Sequence, residues 1–116
     1  MSRYMQITVT VRPYYQPDLA AAFPRLARHL GFLNPDIAQA NPSLFDLAGQ
    51  VDKLLYSYDG TPLREILLRH HKTIRQLHQD IEVNIADWNL AAADRLLYRL
   101  EDIFDRLESE LDSVPL

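Results

Sequence analysis

Histidines and carboxylates at helical spacing are the residues of this sequence best suited to chemistry. Four charged or ionisable residues follow one another at intervals of four, three and four: His71, Arg75, His78 and Glu82. Imidazole and carboxylate are ordinary ligands of zinc and iron. Ligands seven residues apart, however, lie about 10 Å apart along a helix, too far to share one ion. We therefore interpret this face as a solvated flank on which His78 and Glu82 pair, with a metal site on these two residues as the alternative.

Two polar residues interrupt the apolar positions of the same predicted helix. His70 and Asn84 stand where the repeat elsewhere has an aliphatic residue. Polar residues at such positions usually fix the alignment of packed helices or form hydrogen bonds across the core. We therefore expect structural roles for His70 and Asn84, with a buried polar pocket between helices as the alternative.

Carboxylates also recur at helical spacing nearer the C-terminal end: Glu101, Asp105, Glu108 and Asp112. This spacing can present carboxylates to magnesium, but three arginines lie on the same helix, and we interpret the face as solvated. Residues 94–112 carry a net charge of −4 from seven acids and three arginines, whereas residues 1–31 carry +3 from four arginines and one aspartate. Such asymmetry can steer a partner or a second copy of the chain.

The element expected at the N-terminal end is a β-strand. Apolar side chains alternate with polar ones through residues 4–12, and a period of two is typical of a strand with one apolar face. A lone strand leaves its backbone donors and acceptors unpaired, so we expect two copies to pair antiparallel in a homodimer. Capture of the strand by a different protein is the alternative. The predicted interface residues are Tyr4, Met5, Ile7, Val9, Val11, Tyr14 and Tyr15.

Prolines mark the starts of the shorter helices predicted in residues 17–60 and of the long helix that follows. Three dipeptides place a capping oxygen before a proline at the first helical position: Asn34-Pro35, Asn41-Pro42 and Thr61-Pro62. An earlier helix is expected to begin at Pro17 and to end at Gly31, with either a kink at Pro24 or a true start near Pro24. Apolar residues at helical spacing predict one further helix from Leu44 to Tyr58.

Residues 61–114 carry the strongest pattern, an apolar repeat with alternating intervals of four and three residues on both sides of Asp87-Trp88-Asn89. Each side predicts a helix of about 25 residues, and so short a connection makes two such helices fold back antiparallel. Trp88 is expected at the last position of the first apolar seam. Ile66, Leu96 and Ile103 widen the apolar face, so we expect the shorter helices to pack on this hairpin.

Composition sets the class of protein. The 116 residues are 47% hydrophobic, include three Gly and no Cys, and carry a formal charge of −4. These values exclude a disordered chain and a disulfide scaffold, and they disfavour nucleic acid as a partner. Without a glycine-rich phosphate loop or an apolar run of about 18 residues, we expect no cofactor, no membrane and a cytoplasmic location. We predict one mainly α domain, a helical bundle built on the hairpin, with the N-terminal strand paired across a dimer.

Three short stretches resemble parts of known families. Residues 86–93 are similar to a tetratricopeptide turn, and the acidic stripe is similar to that of all-α nucleotide pyrophosphatases. The spacing Arg64-x₅-His70, or Arg64-x₆-His71, resembles the motif of HEPN-type nucleases. No repeat and no second acidic helix accompanies them, so no family is assigned. We expect a non-catalytic protein–protein interaction module, such as an adaptor, assembly chaperone, inhibitor or regulatory subunit. The alternative is a small helical-bundle enzyme or sensor that uses His71, His78 and Glu82.

Overall fold

Two long antiparallel helices form the body of the protein. The computed structural model describes residues 3–4, 8–13 and 18–114. Within these residues the chain forms seven helices: α1 (Leu19–Ala22), α2 (Pro24–Leu33), α3 (Pro35–Gln39), α4 (Leu44–Gly49), α5 (Val51–Ser57), α6 (Pro62–Ala86) and α7 (Leu90–Asp112). The predicted mainly α class and the long hairpin of α6 and α7 are confirmed. No helix in the described part of the chain is long and apolar enough to cross a membrane.

The shorter helices cover one side of the hairpin. Helices α2 and α4 each contact both α6 and α7, and α5 contacts α6. Their apolar side chains join those of the hairpin in one core, in which Ile66 is buried and Leu96 and Ile103 are partly buried. The expectation that a widened apolar face requires further helices is therefore confirmed. The largest fully buried side chains are Leu19, Leu26, Leu30, Tyr58, Leu63, Ile66, Ile74, Ile81, Leu100, Leu107 and Leu111.

Proline accounts for the break between the first two helices. Helix α1 ends at Ala22 and α2 begins at Pro24, with Phe23 between them in a non-helical conformation. A new helix therefore begins at Pro24, the second of the two predicted outcomes, because Pro24 cannot donate the backbone hydrogen bond that would continue α1. The predicted end at Gly31 is wrong, since α2 continues to Leu33. The helix ends there because the residue before Pro35 is sterically disfavoured from helical geometry.

Two of the three predicted helix caps are confirmed. The Asn34 side chain accepts a hydrogen bond from the backbone amide of Asp36, and the Thr61 side chain accepts one from that of Arg64. In each case the following proline stands at the first helical position, where no backbone donor is needed. The start of α6 is therefore encoded in two adjacent residues, Thr61 and Pro62.

The third predicted cap, Asn41-Pro42, is wrong. Helix α4 begins at Leu44, and its cap is Ser43, which forms a reciprocal capping box with Asp46. Asn41 has a positive φ of 49°, and its side chain reaches the start of α1 instead. It accepts a hydrogen bond from the Leu19 amide at 2.8 Å and donates one to Asp18 at 3.1 Å. Asn41 therefore fastens a distant helix start rather than its own.

The helix predicted from Leu44 to Tyr58 is divided in two. Gln50, with φ −107° and ψ 11°, separates α4 from α5. The change of direction lets α4 contact both long helices while α5 contacts α6. Tyr58 follows the end of α5, is buried, and donates its hydroxyl hydrogen bond to the carbonyl of Leu30 in α2.

The connection between α6 and α7 is the predicted tight turn, but its tryptophan lies outside the core. Trp88 has a positive φ of 58° and is 58% exposed. Its predicted place at the end of the apolar seam is therefore wrong. The left-handed backbone at Trp88 reverses the chain, so the helical period that would have carried its side chain into the seam stops at Ala86.

The predicted N-terminal strand is not present in the described part of the chain. Residues 8–13 have neither helical nor strand structure, and residues 5–7, which include Met5 and Ile7, lie outside the described residues. Strand structure requires a partner strand, and the described residues of a single copy supply none. Pairing between two copies stays a prediction.

Candidate functional site

The histidine face of α6 does not gather its side chains around one point. His78 Nδ1 lies 3.0 Å from Glu82 Oε1, as the sequence predicts. His71 Nδ1 instead donates to the carbonyl of Leu68 at 2.8 Å, and Arg75 pairs with Asp52 of α5. Among the described residues, no three His, Cys, Asp or Glu side chains are placed to hold a metal ion.

His78 is built into the contact between α6 and α4. Its ring stacks on Phe45, with ring centroids 4.4 Å apart and an angle of 27° between the planes. A Cβ atom added to Gly49 would lie 2.8 Å from His78 Nε2. A side chain at position 49 would therefore require the imidazole to shift. Sequence analysis did not identify Phe45 or Gly49, since nothing in the spacing relates α4 to a residue of α6.

His70 forms the polar contact across the hairpin. Its Nε2 atom lies 2.9 Å from Glu110 Oε1 in α7, and Arg69 Nη1 approaches the same carboxylate at 3.3 Å. The predicted hydrogen bond across the packed helices is thereby confirmed for His70. Asn84 behaves differently, because its side chain donates to the carbonyl of Asp80 within α6. The observed bond of Asn84 therefore does not link the two helices.

Glu108 is the polar residue whose predicted environment is wrong. It was expected on a solvated acidic face, but it is buried against the start of α2. Its two oxygens accept the backbone amides of Arg25 and Leu26, each at 3.0 Å. The start of α2 has no side-chain cap of its own, and Pro24 has no amide hydrogen. The carboxylate satisfies the next two amides and interacts favourably with the positive end of the helix dipole.

A cleft of about 370 Å³ lies beside this contact, between α2 and the end of α7. Arg25 closes part of it by pairing with Asp112 at 2.7 Å and approaching Glu108 at 3.6 Å. His29, one turn further along α2, is buried and also lines the cleft. Burial lowers the pKa of His29, the charge of Arg28 lowers it further, and Glu108 opposes both. The sequence analysis missed His29, although its position beside Leu26 and Leu30 indicates the apolar face of α2.

The N-terminal segment reaches α4 and α7 at Pro13. Pro13 lines a small cleft together with Leu44 of α4 and with Leu97 and Glu101 of α7. Burial raises the pKa of Glu101, and the charges of Asp105, Asp102 and Asp94 raise it further. The chain therefore brings a partly desolvated carboxyl group close to the segment predicted to form the dimer.

The predicted interface residues are only partly described. Tyr4 is exposed, Val9 is 61% exposed and Val11 is half-buried. Met5, Ile7, Tyr14 and Tyr15 lie outside the described residues. Among the described residues, residues 8–13 form no backbone hydrogen bond with one another or with the helices.

Comparison with protein-family models, with curated proteins and with solved structures finds no match. The side chains of His70, His78 and Glu108 each contact a second helix. The largest departures from a self-contained bundle are the N-terminal segment and the exposed apolar side chains.

Proposed function

We propose that this chain is a non-catalytic protein–protein interaction module that forms a homodimer through residues 4–12. The observation that carries the proposal is the unpaired backbone of residues 8–12, which form no hydrogen bond to another described residue. Backbone donors and acceptors in a row are a template for a strand from another chain. A second copy supplies a strand of the required length and pattern.

The side chains of the segment fit this arrangement. Val9 is 61% exposed, Val11 is half-buried, and Pro13 rests between α4 and α7. Two copies of residues 4–12, paired antiparallel about a two-fold axis, satisfy one edge of each strand. The same pairing places the alternating apolar side chains of both strands on one face, where they can cover each other and the helices beneath.

A non-catalytic role is supported by the way the polar side chains are used. His78 is stacked on Phe45, and the Glu108 carboxylate is occupied by two backbone amides. Both groups stabilise helix contacts. The alternative enzyme or sensor based on His71, His78 and Glu82 has no observation of its own in its favour. Adaptor, assembly chaperone, inhibitor and regulatory subunit are the roles that such a module serves.

Sedimentation velocity at tens of micromolar tests the dimer, with a pair of proline substitutions to test the strand. Successive residues of a strand direct their amides to opposite edges, so Val9→Pro and Thr10→Pro remove donors from opposite edges. The proposal predicts a dimer for the natural chain, dissociation in one of the two variants, and retention in the other. Val9→Thr, which keeps both the amide and the β-branched shape, is the control.

Two results would contradict the proposal. A natural chain that sediments as a monomer at this concentration excludes the homodimer and leaves strand capture by a different protein. A dimer that both proline variants retain shows that another surface holds the two copies together.

A further inference from the structure

The tip of the helical hairpin exposes large apolar side chains. We define the hairpin tip as residues 80–94, which include the end of α6, the turn and the start of α7. Val83 is 51% exposed, Trp88 58% and Leu90 40%. Each belongs to a residue type that ordinarily contributes to the core, and all three lie at the same end of the hairpin. Grouped exposure of this kind marks an interaction surface more often than scattered single residues do.

The conformation of Trp88 strengthens this argument. Its φ of 58° lies in the left-handed region, where glycine or asparagine is relaxed and a bulky side chain is strained. Burial of the indole does not offset this backbone strain, because Trp88 is more than half exposed. Strained residues are concentrated where a protein binds something. Trp is also among the residue types most enriched at the energetic centres of protein interfaces.

The charge around these side chains selects the kind of partner. Between Arg75 and Arg95 the chain has no Lys or Arg and carries four acids: Asp80, Glu82, Asp87 and Asp94. Of these four acids, Glu82 is the one with an ion-pair partner among the described residues, His78. The resulting negative field attracts basic polypeptides and repels nucleic acid and anionic lipid headgroups.

We infer that the hairpin tip docks a basic segment of a partner protein that also presents apolar side chains. Trp88 is the anchor of this contact, Val83 and Leu90 extend its apolar area, and the four carboxylates of the tip pair with the basic groups at its rim. The hairpin tip shares no residue with the predicted strand of residues 4–12. Its test therefore gives a result independent of the proposed homodimer.

The natural chain reports this binding directly, because Trp88 is its only tryptophan. The probe is a synthetic peptide with Lys and Leu at helical spacing, titrated into the full chain. We expect a saturable shift of the Trp88 emission to shorter wavelength. The affinity derived from this shift should fall as salt is added, because salt screens the attraction between opposite charges. The matched peptide, with Glu in place of every Lys, should produce no shift.

Substitutions then separate binding from folding. Trp88→Gly removes the indole and relaxes the positive φ, so thermal stability should be equal or higher while affinity for a fluorescently labelled Lys/Leu peptide falls about tenfold or more. Tyr56→Ala, on α5, removes another exposed aromatic ring and should leave affinity unchanged. Asp87→Asn should weaken binding, and Asp102→Asn, on an exposed position of α7 outside the tip, should not.

Each opposite result overturns the inference. The inference is wrong if the Lys/Leu peptide produces no emission shift, or if the Glu/Leu peptide binds equally well. It is also wrong if Trp88→Gly leaves the affinity for the Lys/Leu peptide unchanged. Neutral phosphatidylcholine vesicles that produce the same shift would show interfacial insertion instead. A shift that grows with protein concentration alone, together with self-association lost in Trp88→Gly, would identify the occupant as a second copy of this chain.

Discussion

Glu108 of α7 accepts the backbone amide of Leu26 at 3.0 Å, across 82 residues of sequence. The same carboxylate accepts the amide of Arg25, so one side chain satisfies the start of α2 and attaches it to the hairpin. Helix α2 in turn holds His29 and receives the Tyr58 hydroxyl at Leu30. This carboxylate therefore adds a polar connection between α7 and α2 to the apolar core that they share.

Removal of this carboxylate should destabilise the fold. Glu108→Ala leaves two amides of α2 without an acceptor, one of them fully buried, and should cost about 3 kcal/mol of unfolding free energy. Glu108→Gln keeps one acceptor oxygen and should cost less. Asp105→Ala, at an exposed position of the same helix, is the control and should stay within about 0.5 kcal/mol. Urea unfolding of the three variants measures the differences; equal losses for Glu108→Ala and Asp105→Ala would show that the cap contributes nothing.

The pH dependence of stability should contain a contribution from His29. Burial and the charge of Arg28 hold its pKa in the folded state below the ordinary value of 6.5. Between the lowered pKa and 6.5, the unfolded chain binds more protons than the folded chain, so the free energy of unfolding rises with pH. The stabilising contribution of neutral His29 is fully present above about pH 6.5. On acidification it is lost as the unfolded histidine becomes protonated. Thermal unfolding from pH 5 to pH 8 should show this slope, reduced in His29→Gln. An identical slope in the variant would assign it to other groups.

Glu101 should make the fold less stable as pH rises, the opposite of the effect of His29. Burial and the neighbouring carboxylates raise its pKa above the ordinary value of 4.5. The folded state therefore binds more protons between 4.5 and the raised pKa, and the contribution of this group to stability is lost as pH rises through that window. Glu101→Gln should be more stable than the natural chain at pH 7, with the difference disappearing below about pH 4.5. Thermal unfolding at pH 4 and pH 7 measures it, and a variant less stable at pH 7 would contradict the assigned electrostatics.

The packing of His78 makes a glycine in a helix preferable to alanine. Gly→Ala within a helix ordinarily stabilises by about 1 kcal/mol. Gly49→Ala should instead destabilise by about 1–2 kcal/mol, because its Cβ would displace an imidazole that is stacked on Phe45 and paired with Glu82.

A double-mutant cycle isolates the cause of that effect. In the His78→Ala background the obstruction is absent, and Gly49→Ala should become neutral or stabilising. Chemical unfolding of the four proteins supplies the coupling energy. Additive effects would show that the glycine is required for a reason other than the histidine.

The sequence alone determined the features that depend on neighbouring residues. A cap followed by proline set the starts of α3 and α6, Pro24 divided α1 from α2, and the apolar repeat on either side of a short turn made the hairpin antiparallel. These features follow from local backbone geometry and from the helical period, and both can be read within one or two turns. The pairing of His78 with Glu82 belongs here too, since residues four apart face each other on any helix.

Only the tertiary structure decided how residues far apart in sequence are used. Asn41 is a residue type that caps helices and it precedes a proline, but its side chain binds the start of α1. Glu108 has the spacing of an exposed acidic stripe, but it lies buried at the start of α2. The spacing is the same for a solvated carboxylate and for one that caps a distant helix, because periodicity records which side of a helix a residue occupies and not what packs there. Trp88 shows the same limit, since its place in the repeat predicted burial and the left-handed turn carried it into solvent.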